Sequence, residues 1–283
     1  MSISLSSFPL AGRTAIVTGA GGGIGRAIAV QLSSAGAHVF LAGRREAPLI
    51  ESQQKILDLG GKASYVTLDV RDPQAIADLV NQAVRSTGKL NIMVNNAGLA
   101  YREPILEGNP EQWREMFETN VIAALNGSQA AARAMRAMRC AGHIVNIGSN
   151  SARREGSGVY GATKAALNVI GATLRKELEG EPIRVVQVLP GPVLTNFDRH
   201  YPPEVVNELL RVAGEEPSYQ KGDLLSDAQI EPLQTAAAPY YVKAEDVGRV
   251  VLFAVTQPIE VDVFEIVIRP ARDFSQALQA GRS

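Results

Sequence analysis

An α/β fold, one domain built on a doubly wound parallel sheet with a helical insertion, is what this 283-residue sequence predicts. Three observations predict it. Short apolar runs of strand length alternate with helix-spaced segments over most of the chain, which makes βαβ units with right-handed crossovers. A glycine-rich turn joins the first such run to the first helix, and the residues with chemical potential gather where the apolar runs end.

In chain order, residues 13–18 (RTAIVT) form an apolar run that leads into TGAGGGIG, residues 18–25, and residues 26–35 show helical spacing. Strand, glycine turn and helix in that order point backbone N–H groups and the positive helix end at a phosphate. Gly19, Gly23 and Gly25 follow a GxxxGxG spacing with Ile24 between the last two. This is not the GxGxxG of the Rossmann dinucleotide fingerprint, but the roles are the same: a tight turn, close approach to a pyrophosphate, and tight packing of helix on strand. Residues 37–42 (AHVFLA) read as the second strand, and Arg44 and Arg45 follow it. An acidic side chain near this point takes a ribose 2′-hydroxyl, whereas arginines grip a 2′-phosphate, so the pattern points to NADP(H). The competing view, two solvated residues opening the next helix, conflicts with the macrodipole, which disfavours cations at a helix N-terminus.

The alternation continues with a helix over 46–59, a strand over 63–68 closing at Asp69, a helix over 73–87 and a strand over 90–94. The turn Asn95-Asn96-Ala97-Gly98 follows, then one long helix over 111–138, a strand over 143–147, a helix over 159–178 and a strand over 183–188. Ligands of such sheets sit outside the carboxyl ends of the strands. The glycine turn, Arg44, Asp69, Asn95 to Gly98 and Ser149 all fall there, and core residues would not sort to one edge. After Pro190-Gly191-Pro192-Val193-Leu194-Thr195, residues 196–241 carry mixed polarity, prolines and two helical pieces, 203–212 and about 224–235. That segment is expected to be a lid over the site within a single domain spanning 1–283. A helix over 244–256, a strand over 261–268 and a polar tail complete the chain.

The stretch 149–164, SNSARREGSGVYGATK, concentrates the chemistry. Tyr160 and Lys164 are four residues apart, which on a helix stacks phenol and ammonium on one face. Moving a phenol pKa from about 10 to near 7 means stabilising phenolate by roughly 4 kcal/mol, and a cation one turn away supplies part of that. In isolation the same spacing describes a solvated surface pair. Ser149, at the end of a strand, offers a hydroxyl to a substrate oxygen.

Composition bounds the alternatives. Apolar residues make up 46% and charged residues 20%, ordinary for a soluble globular protein, and the net charge of -1 argues against a nucleic-acid or anionic-membrane binder. One cysteine, Cys140, precludes an intramolecular disulfide, and three histidines disfavour a metal centre. No apolar run is long enough to span a bilayer and the first ten residues carry no basic region of the signal-peptide kind, so the expected location is the cytoplasm.

With the glycine turn, NNAG and YxxxK present in that order, the sequence resembles the classical short-chain dehydrogenases/reductases (SDR) over about residues 12 to 268. The resemblance implies that Gly19, Gly23 and Gly25 line the cofactor pyrophosphate and that Asp69 and Val70 approach the adenine. Asn96, Ala97 and Gly98 stabilise the central sheet and border the ribose. It makes Tyr160 the general acid/base and Lys164 the holder of the nicotinamide ribose that also lowers the tyrosine pKa. Ser149 polarises the substrate carbonyl, Asn120 links the lysine to a water-filled proton path, and Pro190, Gly191, Val193 and Thr195 cradle the nicotinamide carboxamide. The interval from Ser149 to Tyr160 is shorter than is usual in the family, which keeps Ser151 as a competitor. Arg153 and Arg154 are readable as carboxylate clamps or as parts of an exposed loop or subunit contact.

The resulting expectation is an NADP(H)-dependent oxidoreductase that interconverts a ketone or aldehyde and an alcohol, without a metal. The rivals are a β-ketoacyl reductase of the same family and a catalytically silent NADP(H)-sensing or scaffold protein. Resemblance also implies a homodimer or homotetramer built on the helices over 111–138 and 159–178, whose alanines (Ala130, Ala131, Ala132; Ala165, Ala166) suit close contacts between or within chains.

Overall fold

The computed structural model describes residues 8–198, 203–236 and 238–272. Residues 199–202 and 237 of the expected lid, both ends of the 1–283 span and nearly all of the polar tail lie outside the described residues. The elements run β1 (Thr14–Thr18), α1 (Gly23–Ser34), β2 (His38–Gly43), α2 (Glu46–Asp58), β3 (Lys62–Thr67), α3 (Pro73–Thr87), β4 (Ile92–Asn95), α4 (Pro110–Phe117) and α5 (Ala123–Ala137). They continue as β5 (Gly142–Ile147), α6 (Gly158–Glu177), β6 (Ile183–Pro190), α7 (Pro203–Val212), α8 (Asp227–Ala236), α9 (Ala244–Val255) and β7 (Glu265–Ile268).

All five residues of β1 are buried, as a strand covered on both faces requires. Side-chain alternation divides them: Ala15 and Val17 enter a core with Ile28 and Leu32 of α1 and Val247 and Val251 of α9. Ile16 enters the opposite core, with Ile76 and Leu79 of α3 and Met135 of α5. Each such aliphatic side chain contributes about 1.5–3 kcal/mol on burial. The sheet is parallel throughout, in the order β3-β2-β1-β4-β5-β6-β7. The chain winds outward from β1 to β3 and then crosses back to β4 on the other side of β1. That reversal opens a crevice at the carboxyl ends of β1 and β4.

Local chemistry sets the element ends. Asp72 caps α3 by accepting from the amides of Gln74 and Ala75, Pro73 supplies the first helical φ, and Gly88 closes the helix at φ 80°. Asn109 and Pro110 open α4 in the same way. Gly248 of α9 lies flat against α1, where a Cβ would stand 2.9 Å from the Ala27 carbonyl oxygen. Gln187, fully buried on β6, donates its amide to the Leu167 and Asn168 carbonyls of α6 at 3.0 and 3.3 Å. Gly171 makes that approach possible, since a Cβ there would overlap the Gln187 amide.

Three elements depart from expectation. The helix over 111–138 is two α-helices joined by a π-turn at Glu118–Ile122, an i→i+5 segment in which Thr119, Asn120 and Val121 are buried. The strand over 261–268 is confined to Glu265–Ile268, because Val261 closes a turn onto Pro258 and β6 offers partners only at Gln187 to Pro190. β4 starts later than the apolar run does, because the Asn91 side chain ties down the strand starts, accepting from the Thr14 amide and donating to the Ala141 carbonyl. Of the alanines suited to contacts between or within chains, Ala131 and Ala132 lie in the chain's own core opposite α3.

The 196–241 excursion has a small core of its own, Leu210, Tyr219 and Leu233, joined by Leu194 and Leu225. Asn196 anchors it by exchanging two hydrogen bonds with the Leu225 backbone, and Gln234 donates to the Leu194 carbonyl.

Candidate active site

The carboxyl ends of the strands and the excursion enclose a cleft of about 1860 Å³. At one end lies the glycine turn. Gly19 is held at φ 66°, where a Cβ would stand 2.9 Å from the Asn96 amide nitrogen, and a Cβ on Gly25 would overlap the Gly19 carbonyl. Gly23, at φ 51°, faces the Thr195 methyl, so the loop after β6 closes over the turn after β1. Ile24 also lines the cleft. Arg26 fastens the turn from behind, donating to the Gly21 carbonyl and the Ser52 hydroxyl at 2.9 Å and pairing with Glu51 at 3.1 Å.

Arg44 and Arg45 line the same cleft after β2, and Arg45 is the N-cap residue of α2. Among the described residues neither guanidinium makes a side-chain hydrogen bond or ion pair, which leaves both charges available to an anion. Asp69 and Val70 reach the cleft from the end of β3. The Asp69 carboxylate is bound by Arg71 at 2.6 Å, and that guanidinium holds its pKa below the usual carboxylate range. Arg71 also lies 3.6 Å from Glu115, whose other oxygen accepts from the Tyr101 hydroxyl at 2.7 Å.

Asn95, Asn96 and Ala97 of the NNAG turn all hold the ends of the central strands. Asn95 donates to Ser128 of α5 and to Asn146 of β5, both at 2.9 Å, which ties β4 to β5. Asn96 donates to the Thr18 carbonyl at 2.8 Å, and the Asn96 and Ala97 amides both bond the Thr18 hydroxyl, so β4 and β1 end as one unit. A Cβ on Gly98 would stand 3.1 Å from the Asn120 Oδ1 and 3.7 Å from the Lys164 Nζ. Pro190 ends β6, Gly191 bonds the Ile268 carbonyl, and Val193 bridges to Val242, which together fix the loop leading to Thr195.

At the other end of the cleft are Ser149, Tyr160 and Lys164. Ser149 extends from β5, and its hydroxyl accepts from the Ser151 amide at 3.1 Å as the cap of a short 3₁₀ turn. Both serines line the cleft, with Ser149 directly at the strand end. Tyr160 stands in the first turn of α6, its ring 5.7 Å from that of Phe197. The Lys164 Nζ lies 5.9 Å from the Tyr160 ring centroid and donates to the Ile147 carbonyl at 2.9 Å. Burial pulls its pKa down to about 8, so the ammonium is still mostly charged at neutral pH.

Asn120 is the exception among the predicted site residues, because it does not line the cleft. Its side chain joins Leu99, bonding both amide and carbonyl at 2.9 Å, to the Thr163 hydroxyl at 3.0 Å, and Thr163 in turn bonds the Tyr160 carbonyl. Asn120 is thus bonded directly to Thr163, the residue before Lys164. Arg153 is also diverted: it grips Glu265 of β7 with two bonds of 2.5 and 2.6 Å, which removes it as a clamp in the cleft. Arg154 does line the cleft. Sequence reasoning missed Arg102, whose guanidinium carbon sits 5.3 Å from the Tyr160 ring centroid. Its place after β4, at the same sheet edge as the other motifs, was the available signal.

A seven-stranded parallel sheet with a glycine turn, NNAG and a buried tyrosine–lysine pair on one cleft defines a Rossmann-type α/β protein of the dehydrogenase kind. Comparison with known proteins assigns the family: residues 13–205 match the model for "short chain dehydrogenase". An uncharacterised oxidoreductase of Staphylococcus epidermidis is 32% identical over 260 residues, covering 91% of this chain and 97% of the relative. Among solved structures, a metagenomic short-chain oxidoreductase in complex with NADP aligns with a TM-score of 0.72 at 27% identity, over 93% of this chain and 100% of that one. L-Sorbose reductase from Gluconobacter frateurii, complexed with NADPH and L-sorbose, aligns with a TM-score of 0.76 at 27% identity, over 93% and 97%. The chain belongs to the short-chain dehydrogenase/reductase family of oxidoreductases.

Proposed function

We propose that this protein is a cytoplasmic NADP(H)-dependent oxidoreductase that interconverts a ketone or aldehyde and an alcohol, with Tyr160 as general acid/base. The observation that carries the proposal is one cleft holding Arg44 and Arg45, unpaired among the described residues, at one end and the Tyr160–Lys164 pair with Ser149 at the other. The residues fit a dinucleotide: Gly19, Gly23, Ile24 and Gly25 line the cleft where α1 begins, and a helix N-terminus favours a phosphate. Gly19, Gly23, Ile24 and Gly25 would hold the pyrophosphate, Arg44 and Arg45 the 2′-phosphate, Asp69 and Val70 the adenine. Asn96 to Gly98 would border the ribose, with Lys164 holding its hydroxyls, and Pro190, Gly191, Val193 and Thr195 would take the carboxamide. When bound, the nicotinamide supplies or accepts the hydride at the substrate carbon.

The side chains handle the proton. Ser149 donates to the substrate carbonyl and stabilises the developing oxyanion. Tyr160 gives its phenolic proton to the nascent alkoxide in reduction and takes it back in oxidation. Lys164, charged and buried beside the ring, favours phenolate. Asn120, acting through Thr163 on the first turn of α6, is a positioning residue. The 196–241 excursion serves as the substrate lid. We also propose a homodimer or homotetramer built on α4–α5 and α6, which present exposed Phe117, Ile122, Leu125 and Val169; a monomer on size-exclusion chromatography would contradict this.

The test is NADPH consumption by the purified protein against aldehydes, ketones and oxo acids, with Tyr160→Phe alongside and NADH as comparison. Turnover that requires NADPH and is lost in the variant supports the reading. Faster turnover with NADH would overturn the assignment of Arg44 and Arg45.

A further inference from the structure

The excursion contributes an apolar wall to the cleft. Val206 and Leu209, one helical turn apart on α7, line it together with Leu224, with Ile230 of α8, and with Leu194 and Phe197 where the chain enters the excursion. The excursion does not need all of this surface to hold itself together, since Leu210 and Leu233, 0% and 2% exposed, fill its own core. Val206 and Leu209 pack against that core yet stay only half-buried, as Ile230 does, and Leu224 is 49% exposed. Polar side chains beside them are bonded within the excursion and its entry. Asn196 exchanges bonds with the Leu225 backbone, Gln234 donates to the Leu194 carbonyl, Gln229 accepts from the Ser226 amide and hydroxyl, and Asp223 accepts from the Gln220 amide. The charged residues Arg154, Glu155, Asp223 and Glu231, which also line the cleft, are exposed and of both signs. Phe197 carries the wall to the chemistry: its ring lies 5.7 Å from that of Tyr160, and both belong to an apolar cluster with Leu99, Ala100 and Met116. A cleft of about 1860 Å³ also exceeds the roughly 300–1,000 Å³ of a site for one drug-sized ligand. The dinucleotide of the reading above takes the part between Arg44 and Tyr160, which leaves the apolar wall for the substrate.

We propose that the substrates of this site are carbonyl compounds with a large hydrocarbon body, ketones of medium or long chain or of fused rings and, in reverse, the corresponding secondary alcohols. The hydrocarbon lies along Phe197, Leu209 and Ile230 while the reacting oxygen meets Tyr160 and Ser149. A small ketone leaves the apolar wall wetted, whereas a hydrocarbon removes both surfaces from water, and each methylene it buries adds the same hydrophobic increment. Apolar surface left open inside a concave site, next to a filled core, is the mark of a ligand groove. Leu209 and Ile230 are the specificity-determining residues, because they come from two different helices of the excursion and belong to neither the cofactor nor the proton-transfer set. The proposal rests on the carbonyl-reductase reading above, and its test separates the two.

Two measurements decide it. In the first, kcat/KM with NADPH is followed along the methyl ketones from 2-butanone to 2-decanone in wild type, L209Q, I230Q and I230L. In wild type it should rise about two- to fourfold per methylene, the upper figure corresponding to full burial of each CH₂. L209Q and I230Q should each lower the ratio of 2-decanone to 2-butanone at least fivefold, mainly through KM, and I230L should keep most of it. A flat or falling series in wild type, or an equal loss on short and long ketones in both glutamine variants, overturns the inference while leaving carbonyl reduction intact. The second measurement needs no turnover. Calorimetric titration with the unreactive amides from butanamide to decanamide, in the presence of NADPH, should show affinity in wild type that climbs by the same factor per methylene and a shallower climb in I230Q. If no ketone consumes NADPH but the amides bind with this dependence, the reductase reading falls and the apolar site stands. Failure of decanamide to bind wild type, or a chain-length dependence unchanged in both L209Q and I230Q, overturns the apolar site.

Discussion

Lys164 holds a buried charge that costs the fold stability. A fall in pKa from 10.5 to about 8 corresponds to roughly 3 kcal/mol at about 1.36 kcal/mol per unit, and its bond to the Ile147 carbonyl returns roughly 1.5–3 kcal/mol of that. Lys164→Met should therefore abolish turnover while leaving Tm, measured at pH 7, no lower than that of wild type. A marked drop in Tm would mean that the ammonium is a net structural asset. At the cofactor end, replacing Arg44 and Arg45 together by Gln should raise the KM for NADPH by about 10- to 100-fold or more, since even one charge-assisted bond is worth roughly 1.5–3 kcal/mol. KM for NADH should move far less, and a parallel rise for both cofactors would assign the arginines to something other than a 2′-phosphate. Tyr160 and Lys164 were legible in the sequence because helical spacing is enough to bring them together. Arg102 was not, because only the path of a loop folds it over a ring 58 positions further on.

At the scale of elements, the position of α6 depends on one missing methyl group. Gly171 lets the Gln187 amide reach the Leu167 and Asn168 carbonyls, which pins the helix bearing the tyrosine–lysine pair to β6. Gly171→Ala should destabilise the protein by about 2–4 kcal/mol through overlap in a packed interior. Adding Gln187→Ala should recover part of that loss, and the coupling is read from urea unfolding of the two single variants and the double. Strictly additive losses would place the strain elsewhere. Neither residue stood out in the sequence, where each is an unremarkable member of its run. The π-turn at Glu118–Ile122 was equally hidden: it adds one residue to a helical turn without changing composition or breaking the apolar pattern of the flanking helices. Helix α3, by contrast, was legible to the residue, because Asp72, Pro73 and Gly88 mark both of its ends chemically.

For the whole molecule, the parallel sheet and its site-bearing edge followed from alternation of strands and helices together with the sorting of motifs to one edge, whereas the strand order and the path of the excursion did not, since both are set by tertiary packing. Stability of the assembled fold should be acid-sensitive through His143 at the start of β5. Burial, aided by Arg13 and Arg184, lowers its pKa from 6.5 to about 4. The unfolded chain takes up a proton near pH 6.5 that the folded chain refuses until about pH 4, so stability is full above that window and falls within it, by up to about 3 kcal/mol. Tm measured from pH 4 to 7.5 should show this slope in wild type and a flatter one in His143→Gln. The contact of α9 with α1 has a bearing on how the chain comes off the ribosome. Ala27 and Gly248 touch through their backbones although more than two hundred positions separate them in sequence. At about 5–20 residues per second, the outer stripe of α1 waits on the order of ten seconds or more for its cover. A nascent or truncated chain lacking residues 244–255 keeps that stripe open to solvent, so chaperone engagement should persist until α9 has emerged.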